Sequence, residues 1–94
     1  MTSKSSFVGS TSSSAGEKTL QLATSNRYLV TVDRYSVNES SLAGLYYVDV
    51  SNDGPHVCPL VSSSLVTSMT VNSSGLLTYT VSLTYTRIRA IQLG

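Results

Sequence analysis

The sequence predicts an all-β protein, an antiparallel β-sandwich of jelly-roll or Greek-key-like type with about seven strands. Composition is the first reason: 19 Ser and 11 Thr stand among the 94 residues, charged residues make up only 12%, and Thr, Val and Tyr favour strands. The second reason is the alternation of apolar and polar residues along short segments, which is typical of half-buried strands. The third is that turn residues recur about every 8–12 residues, as they do in sandwiches and barrels.

The chain divides into two segments. Residues 1–16 are rich in Ser, Thr and Gly and predict a flexible or extended N-terminal lead-in, whereas residues 17–94 predict the β-sandwich domain. Within that domain, residues 18–24 alternate between apolar and polar side chains. Residues 27–36 carry apolar residues on both faces, which predicts a central strand. Residues 44–51 predict the strand that follows.

The second half of the domain contains clearer turn signals. The sequence Asn-Asp-Gly-Pro at 52–55 predicts a tight turn, because Asp-Gly readily adopts positive φ values. Pro59 has no N–H group, so the strand at 56–62 is predicted to be an edge or bulged strand. Tyr79 and Tyr85 lie on the apolar face of a long alternating run and are predicted to be core residues. Residues 65–71 predict a hairpin strand, and Asn-Ser-Ser-Gly at 72–75 predicts the turn that follows it. Residues 76–86 predict the long alternating strand, and residues 87–93 predict a final strand beyond a bulge or turn.

The length of the chain limits the size of its core. A domain of 94 residues buries only about 60–65% of the surface that its unfolded chain exposes. Burial against further copies of the chain would stabilise the folded state by mass action. The single cysteine, Cys58, excludes an internal disulfide, the usual support of small secreted domains. The sequence therefore predicts folding in a reducing compartment, or stability that comes from assembly.

The sequence offers little for catalysis. His56 is the only histidine and Cys58 the only cysteine. One chain therefore has too few ligands for a structural zinc site, and only His56 could serve as the histidine base of a hydrolytic triad. The cations are scattered and the net charge is +1, unlike a nucleic-acid-binding surface. No apolar run reaches the roughly 18 residues of a membrane span. We expect a non-enzymatic protein with no catalytic residues, cofactor, metal site, nucleic-acid partner or membrane insertion.

A small group of polar and aromatic residues forms the candidate ligand-binding set. Tyrosine is an amphipathic contact residue at interfaces, and Tyr35, at a strand end beside Asp33 and Arg34, is the first candidate. Tyr46 and Tyr47 point to opposite faces of their strand, so at least one of them is expected to be exposed or at an interface. The predicted ligand-binding residues are Asp33, Arg34, Tyr35, Tyr46, Asp53 and His56.

Four blocks of the sequence resemble the C-terminal β-domains of bacteriophage tail fibres and tailspikes. They are RYLVTVD at 27–33, GLYYVDV at 44–50, SGLLTYTV at 74–81 and RIRAIQL at 87–93. The resemblance covers about residues 18–94 and rests on pattern and composition. It implies a homotrimer at a fibre tip, in a virion assembled in the bacterial cytoplasm. Such a domain trimerises, binds a host cell-surface polysaccharide or lipopolysaccharide, or does both.

Two other interpretations stay open at this point. One is a monomeric carbohydrate-binding or adhesin-like β-sandwich. The other is a different structural part of a virion, such as a capsid decoration or baseplate protein. The oligomeric mass separates the monomeric module from the trimeric fibre module.

Overall fold

A computed structural model describes residues 7–12, 14–35, 40–51 and 54–93. Over these residues the chain is all-β, as predicted, with eight strands in two antiparallel sheets. The strands are β1 (Phe7–Ser12), β2 (Gly16–Gln21), β3 (Arg27–Tyr35), β4 (Ser40–Asp49), β5 (His56–Val61), β6 (Val66–Val71), β7 (Leu76–Val81) and β8 (Thr86–Gln92). None of the described segments is a helix that could cross a membrane.

The strand order is of the Greek-key type. The five-stranded sheet has the order β1-β8-β3-β4-β5, and the three-stranded sheet has the order β2-β7-β6. Strands β3, β4 and β5 are successive neighbours, and β8 returns to lie beside β3 after the chain has passed through the other sheet. A fourth strand beside the first of three consecutive strands defines a Greek key. The fold class predicted from the sequence is therefore confirmed.

The structure contains one strand more than the predicted seven. Phe7–Ser12 forms β1 inside the segment predicted as a lead-in, and it pairs with β8 from Phe7↔Ile91 to Ser12↔Thr86. Gly16, the last residue of that segment, begins β2. The N-terminal segment thus supplies an edge strand to the larger sheet. Residues 1–6 and 13 lie outside the described part of the chain.

The hydrophobic core lies between the two sheets and follows the period-two alternation of the strands. Strands β3, β4 and β8 turn every second residue toward β7, the middle strand of the smaller sheet. The largest fully buried side chains of the hydrophobic core are those of Tyr28, Val30, Val32, Val48, Val50, Leu77, Tyr79, Val81 and Ile88.

The two sheets are linked closely where the loop at 62–65 joins β5 to β6. The buried hydroxyl of Tyr46 accepts a hydrogen bond from the Ser63 N–H at 2.9 Å. Gly44 permits this approach, because a Cβ at that position would lie 2.6 Å from the Cβ of Ser63. Strand β5, which contains Pro59, is the edge of its sheet, as predicted.

The alternating run at 76–86 does not form a single strand. Strand β7 ends at Val81 and β8 begins at Thr86, so the predicted bulge or turn is a turn at residues 82–85. Tyr79 is fully buried, whereas Tyr85 is 50% exposed. The prediction of Tyr85 as a core residue is wrong, because the turn removes it from the face on which the alternation of β7 would have placed it.

Candidate interaction site

The side of the five-stranded sheet that points away from the core, here called the outer face, carries an apolar row across its middle. Ile91, Leu29, Tyr47 and Cys58 are register neighbours on β8, β3, β4 and β5, and they form one row across the sheet. Leu29, Tyr47 and Ile91 are half-buried, and Cys58 is exposed. A second row places Leu45 between Thr31 and Val61. Antiparallel sheets commonly present a polar outer face to water, and this row departs from that pattern.

An ionic cluster occupies one end of the outer face. Asp33 on β3 is the register neighbour of Arg87 on β8. Arg87 donates to both carboxylate oxygens, from Nε to Oδ1 at 3.1 Å and from NH2 to Oδ2 at 2.5 Å. Arg89 adds a longer contact, from NH2 to Oδ2 at 3.4 Å. Such a two-pronged Arg–carboxylate pair has a defined geometry as well as a favourable charge interaction.

The Asp33 side chain is more deeply buried than those of the two arginines that contact it. Its side chain is 2% exposed, against 27% for Arg87 and 38% for Arg89. Within the described residues, the Nε of Arg89 is buried and has no hydrogen-bond partner. Among the described residues, one carboxylate thus faces two guanidinium groups. The outer face therefore combines an apolar row with an ionic cluster at one end.

The predicted ligand-binding residues do not form one site. Asp33 lies in the ionic cluster, Arg34 is exposed, and Tyr35 is the last residue of β3. His56 lies at the other end of the sheet, exposed, with Nδ1 2.9 Å from the Gly54 carbonyl oxygen. The remaining two are Tyr46, which is 5% exposed within the core, and Asp53, which lies outside the described residues.

A groove opens between the edge strands of the two sheets, β5 and β6. Its volume is about 280 Å³, and it is open along one side. Pro59 and Met69 line it together with the hydroxyl-bearing residues Ser62, Thr67 and Ser68. The volume of this groove is at the lower end of the range that is usual for small-molecule sites. It contains no charged residue among its lining side chains.

A third feature is an exposed apolar pair in the turn at 82–85. Leu83 is 44% exposed and Tyr85 is 50% exposed. Tyr85 has a φ of 59°, a left-handed conformation that is unusual for a bulky residue. The alternation of β7 concealed this pair, because it assigned both residues to the core face. The change of phase after Thr86 was the only sign in the sequence that the strand ends earlier.

Across the described residues, no three His, Cys, Asp or Glu side chains lie close enough together to hold a metal ion. The features that stand out are the apolar row and ionic cluster of the outer face, the groove between β5 and β6, and the exposed pair in the turn at 82–85. Comparisons with protein-family models, with curated proteins and with solved structures find no match to this chain.

Proposed function

We propose that this chain is a non-enzymatic assembly and attachment module, of the kind found at the C-terminal end of a phage tail fibre or tailspike. In this proposal it forms a homotrimer and binds a host cell-surface glycan. The apolar row across the outer face of the five-stranded sheet is the observation that supports assembly most strongly. The resemblance of residues 18–94 to fibre-tip β-domains supplies the biological setting.

A second copy of the chain is the partner that best fits the outer face. Five strands about 4.8 Å apart and about 20 Å long present roughly 480 Å² of flat surface, and a stable contact buries about 800 Å² per partner. The face is therefore large enough to form most of one subunit contact. A chain of 94 residues has a small core. A contact between copies would bury additional apolar area and so stabilise the folded state.

The ionic cluster would set the alignment of neighbouring copies. In a threefold ring the contact is heterologous, so the cluster of one copy meets a different part of the next. The fixed Arg87–Asp33 geometry then specifies how neighbouring copies align, because charge pairs contribute to specificity and register at interfaces.

The first test is the solution mass of the chain, measured by light scattering after size exclusion. We expect a mass of about three times 10.0 kDa. Leu29→Ser, in the apolar row of the outer face, should shift the mass toward that of a monomer. Leu76→Ser is the matched control, because Leu76 is also a half-buried leucine but lies on β7 of the other sheet. It should leave the mass unchanged.

A monomeric mass at all accessible concentrations would contradict the assembly proposal. That outcome would favour the alternative of a stand-alone carbohydrate-binding or adhesin-like sandwich, for which the groove between β5 and β6 offers a site. A mass that falls equally in both leucine variants would show that general destabilisation, and not the outer face, controls association.

A further inference from the structure

Strand β6 forms one edge of the smaller sheet, and the outward side of its backbone is open. Among the described residues it pairs with β7 alone. The N–H of Asn72 donates to the Leu76 carbonyl oxygen at 3.2 Å, so these two residues extend the β6–β7 ladder. The backbone groups of successive residues in an antiparallel strand point to opposite sides. The N–H and C=O groups of Thr70 therefore also point toward β7, and those of Met69 and Val71 point out of the sheet edge.

Two neighbouring edge strands are protected against pairing, and β6 is not. Proteins block sheet edges with charged side chains, proline or irregular register. Strand β2, the other edge of the smaller sheet, contains Glu17 and Lys18. Strand β5, across the groove, contains Pro59 and has a register shift against β4. Residues 68–71 of β6 contain no proline or charge and keep a regular register with β7, so their edge is suited to a further strand.

The groove between β5 and β6 runs along this open edge. Its lining includes four consecutive residues of β6, at 66–69, but only alternate residues of β5, Val57 and Pro59. Consecutive side chains of a strand point to opposite faces, so a groove that meets four in a row follows the edge of β6. Val57 and Pro59 are the register neighbours of the core residues Val48 and Tyr46, so they share the inner face of the larger sheet. The groove therefore lies beside β6 and below the inner face of β5.

The larger sheet extends past the smaller one at β5. Neighbouring strands lie about 4.8 Å apart, so five strands span roughly 24 Å and three strands roughly 14 Å. On β4 the inward side chains of Tyr46 and Val48 are buried. On β5 the inward side chain of Val57 is only half-buried and that of Pro59 is exposed. A fourth strand beside β6 would cover both of these side chains.

The open edge specifies the chemistry of its ligand. It presents an N–H and a C=O group at every second residue, a repeat of about 6.8 Å. An extended polypeptide offers the complementary groups at the same repeat, and its alternate side chains enter the space beside the edge. Val57, Pro59 and Met69 give the groove an apolar lining between hydroxyl groups. The matching segment therefore carries small apolar residues at alternate positions.

We propose that the edge of β6 binds an extended segment of a different polypeptide, which adds a fourth strand to the smaller sheet. Its alternate apolar side chains fill the groove below β5. A second copy of β6 is the competing occupant, but pairing between two identical strands is a twofold contact, and a threefold ring contains only heterologous contacts. The choice of a different polypeptide therefore rests on the proposed trimer. The apolar row lies on the other side of the larger sheet, so both surfaces can be occupied at once.

The test uses the full chain and a synthetic peptide that alternates valine and threonine over the length of β6, with a lysine at each end for solubility. It should bind with a Kd of about 1 mM or tighter. Hydrogen exchange measured by NMR should slow at the N–H groups of Met69 and Val71, because they gain acceptors. Exchange at Thr70 should change less, since its N–H already points toward β7. A peptide with proline in place of its central valine is the control and should not bind.

Thr67→Lys tests the site from the side of the protein. Thr67 is exposed and lines the groove, so a charged side chain there should weaken peptide binding about tenfold or more. Thr70→Lys is the matched control, because Thr70 is an exposed threonine of the same strand that does not line the groove. It should bind the peptide as the parent protein does.

The proposal is overturned if the peptide does not bind, if exchange at Met69 and Val71 is unchanged, or if the two lysine variants bind equally well. It is also overturned if Thr67→Lys alone lowers the solution mass, because the edge would then hold a second copy. Light scattering separates this proposal from the assembly proposal: a trimer that binds no peptide refutes strand addition alone, and a monomer that binds the peptide refutes assembly alone.

Discussion

Two tyrosines in the same core differ in how their hydroxyl groups are satisfied. The hydroxyl of Tyr46 accepts a hydrogen bond from the buried N–H of Ser63. The hydroxyl of Tyr79 is buried and has no partner among the described residues. A buried polar group without a hydrogen bond is unfavourable, whereas a satisfied one contributes modestly to stability. The two side chains should therefore respond in opposite ways to the loss of one oxygen atom.

We expect Tyr46→Phe to lower the free energy of unfolding by about 1–2 kcal/mol, because it leaves the Ser63 N–H without an acceptor. Tyr79→Phe should leave the free energy of unfolding unchanged or raise it. Urea unfolding of the two variants beside the parent protein measures both effects under the same conditions. Equal losses in the two variants would mean that the Tyr79 hydroxyl is satisfied in solution, for example by a buried water.

Single residues also show where sequence reasoning stops. Asp33 was predicted as a ligand-binding residue from its neighbours Arg34 and Tyr35. In the structure its carboxylate is paired with Arg87, 54 residues later in the chain. No local pattern reveals that pairing, because it depends on β8 lying beside β3. The opposite orientations of Tyr46 and Tyr47, in contrast, follow directly from the period of a strand and were predicted.

At the scale of the elements, β1 is the strand that the sequence did not reveal. It contains Gly9 and three hydroxyl residues in six positions, a composition that resembles a linker. Its pairing with β8 shields the backbone of β8, which would otherwise be a sheet edge. Uncovered edges promote association through unpaired N–H and C=O groups. Position in the sheet, rather than strand propensity, therefore explains why this segment is extended.

Deletion of residues 1–12 should lower the urea midpoint and cause concentration-dependent aggregation, because it exposes the edge of β8. Deletion of residues 1–6 is the control, since it leaves β1 complete. Urea unfolding measures the first effect and light scattering the second. If both deletions behave alike and neither aggregates, the β1–β8 pairing contributes nothing to stability in solution.

The other elements show which signals in the sequence were strong. Pro59 predicted an edge or bulged strand, and β5 is an edge strand. The turn around Gly75 was predicted as well, and its φ of 88° is one that glycine adopts easily. The end of β7 at Val81 could not be predicted with certainty, because the apolar-polar alternation continues for several residues into the turn. An alternation of period two predicts the orientation of side chains only within a strand, and it has no such meaning in a turn.

At the scale of the whole molecule, the sequence predicted the class of fold but not the partition of strands between the sheets. Composition, alternation and turn spacing are local properties, and they suffice for an antiparallel sandwich. The pairing of β8 with β3 and that of β2 with β7 depend on contacts between residues that are distant in the sequence. The outer face has the same origin: it becomes visible as a surface only when Leu29, Tyr47 and Ile91 are aligned in one row.

The assembly proposal also predicts how global stability depends on concentration. An associating chain is stabilised by mass action, so its Tm should rise as the protein concentration increases. Calorimetry over a roughly hundredfold range of protein concentration tests this. Over that range a mass-action shift of a few degrees in Tm should be measurable. Leu29→Ser should remove the dependence, and Leu76→Ser should retain it. A Tm that does not change with concentration in the parent protein would contradict association in its folded state.

The position of β1 has a mechanical consequence when the chain is pulled from the Phe7 side. The backbone hydrogen bonds of an antiparallel pair run perpendicular to its strands, and β1 pairs with β8 along its whole length. A pull on the chain ahead of Phe7, resisted at the Tyr85 end, acts along the strand axis. It would load all the hydrogen bonds between the two strands together in shear, and not one after another as in unzipping. In the proposed attachment module, the same edge strand that protects β8 would therefore carry the tension.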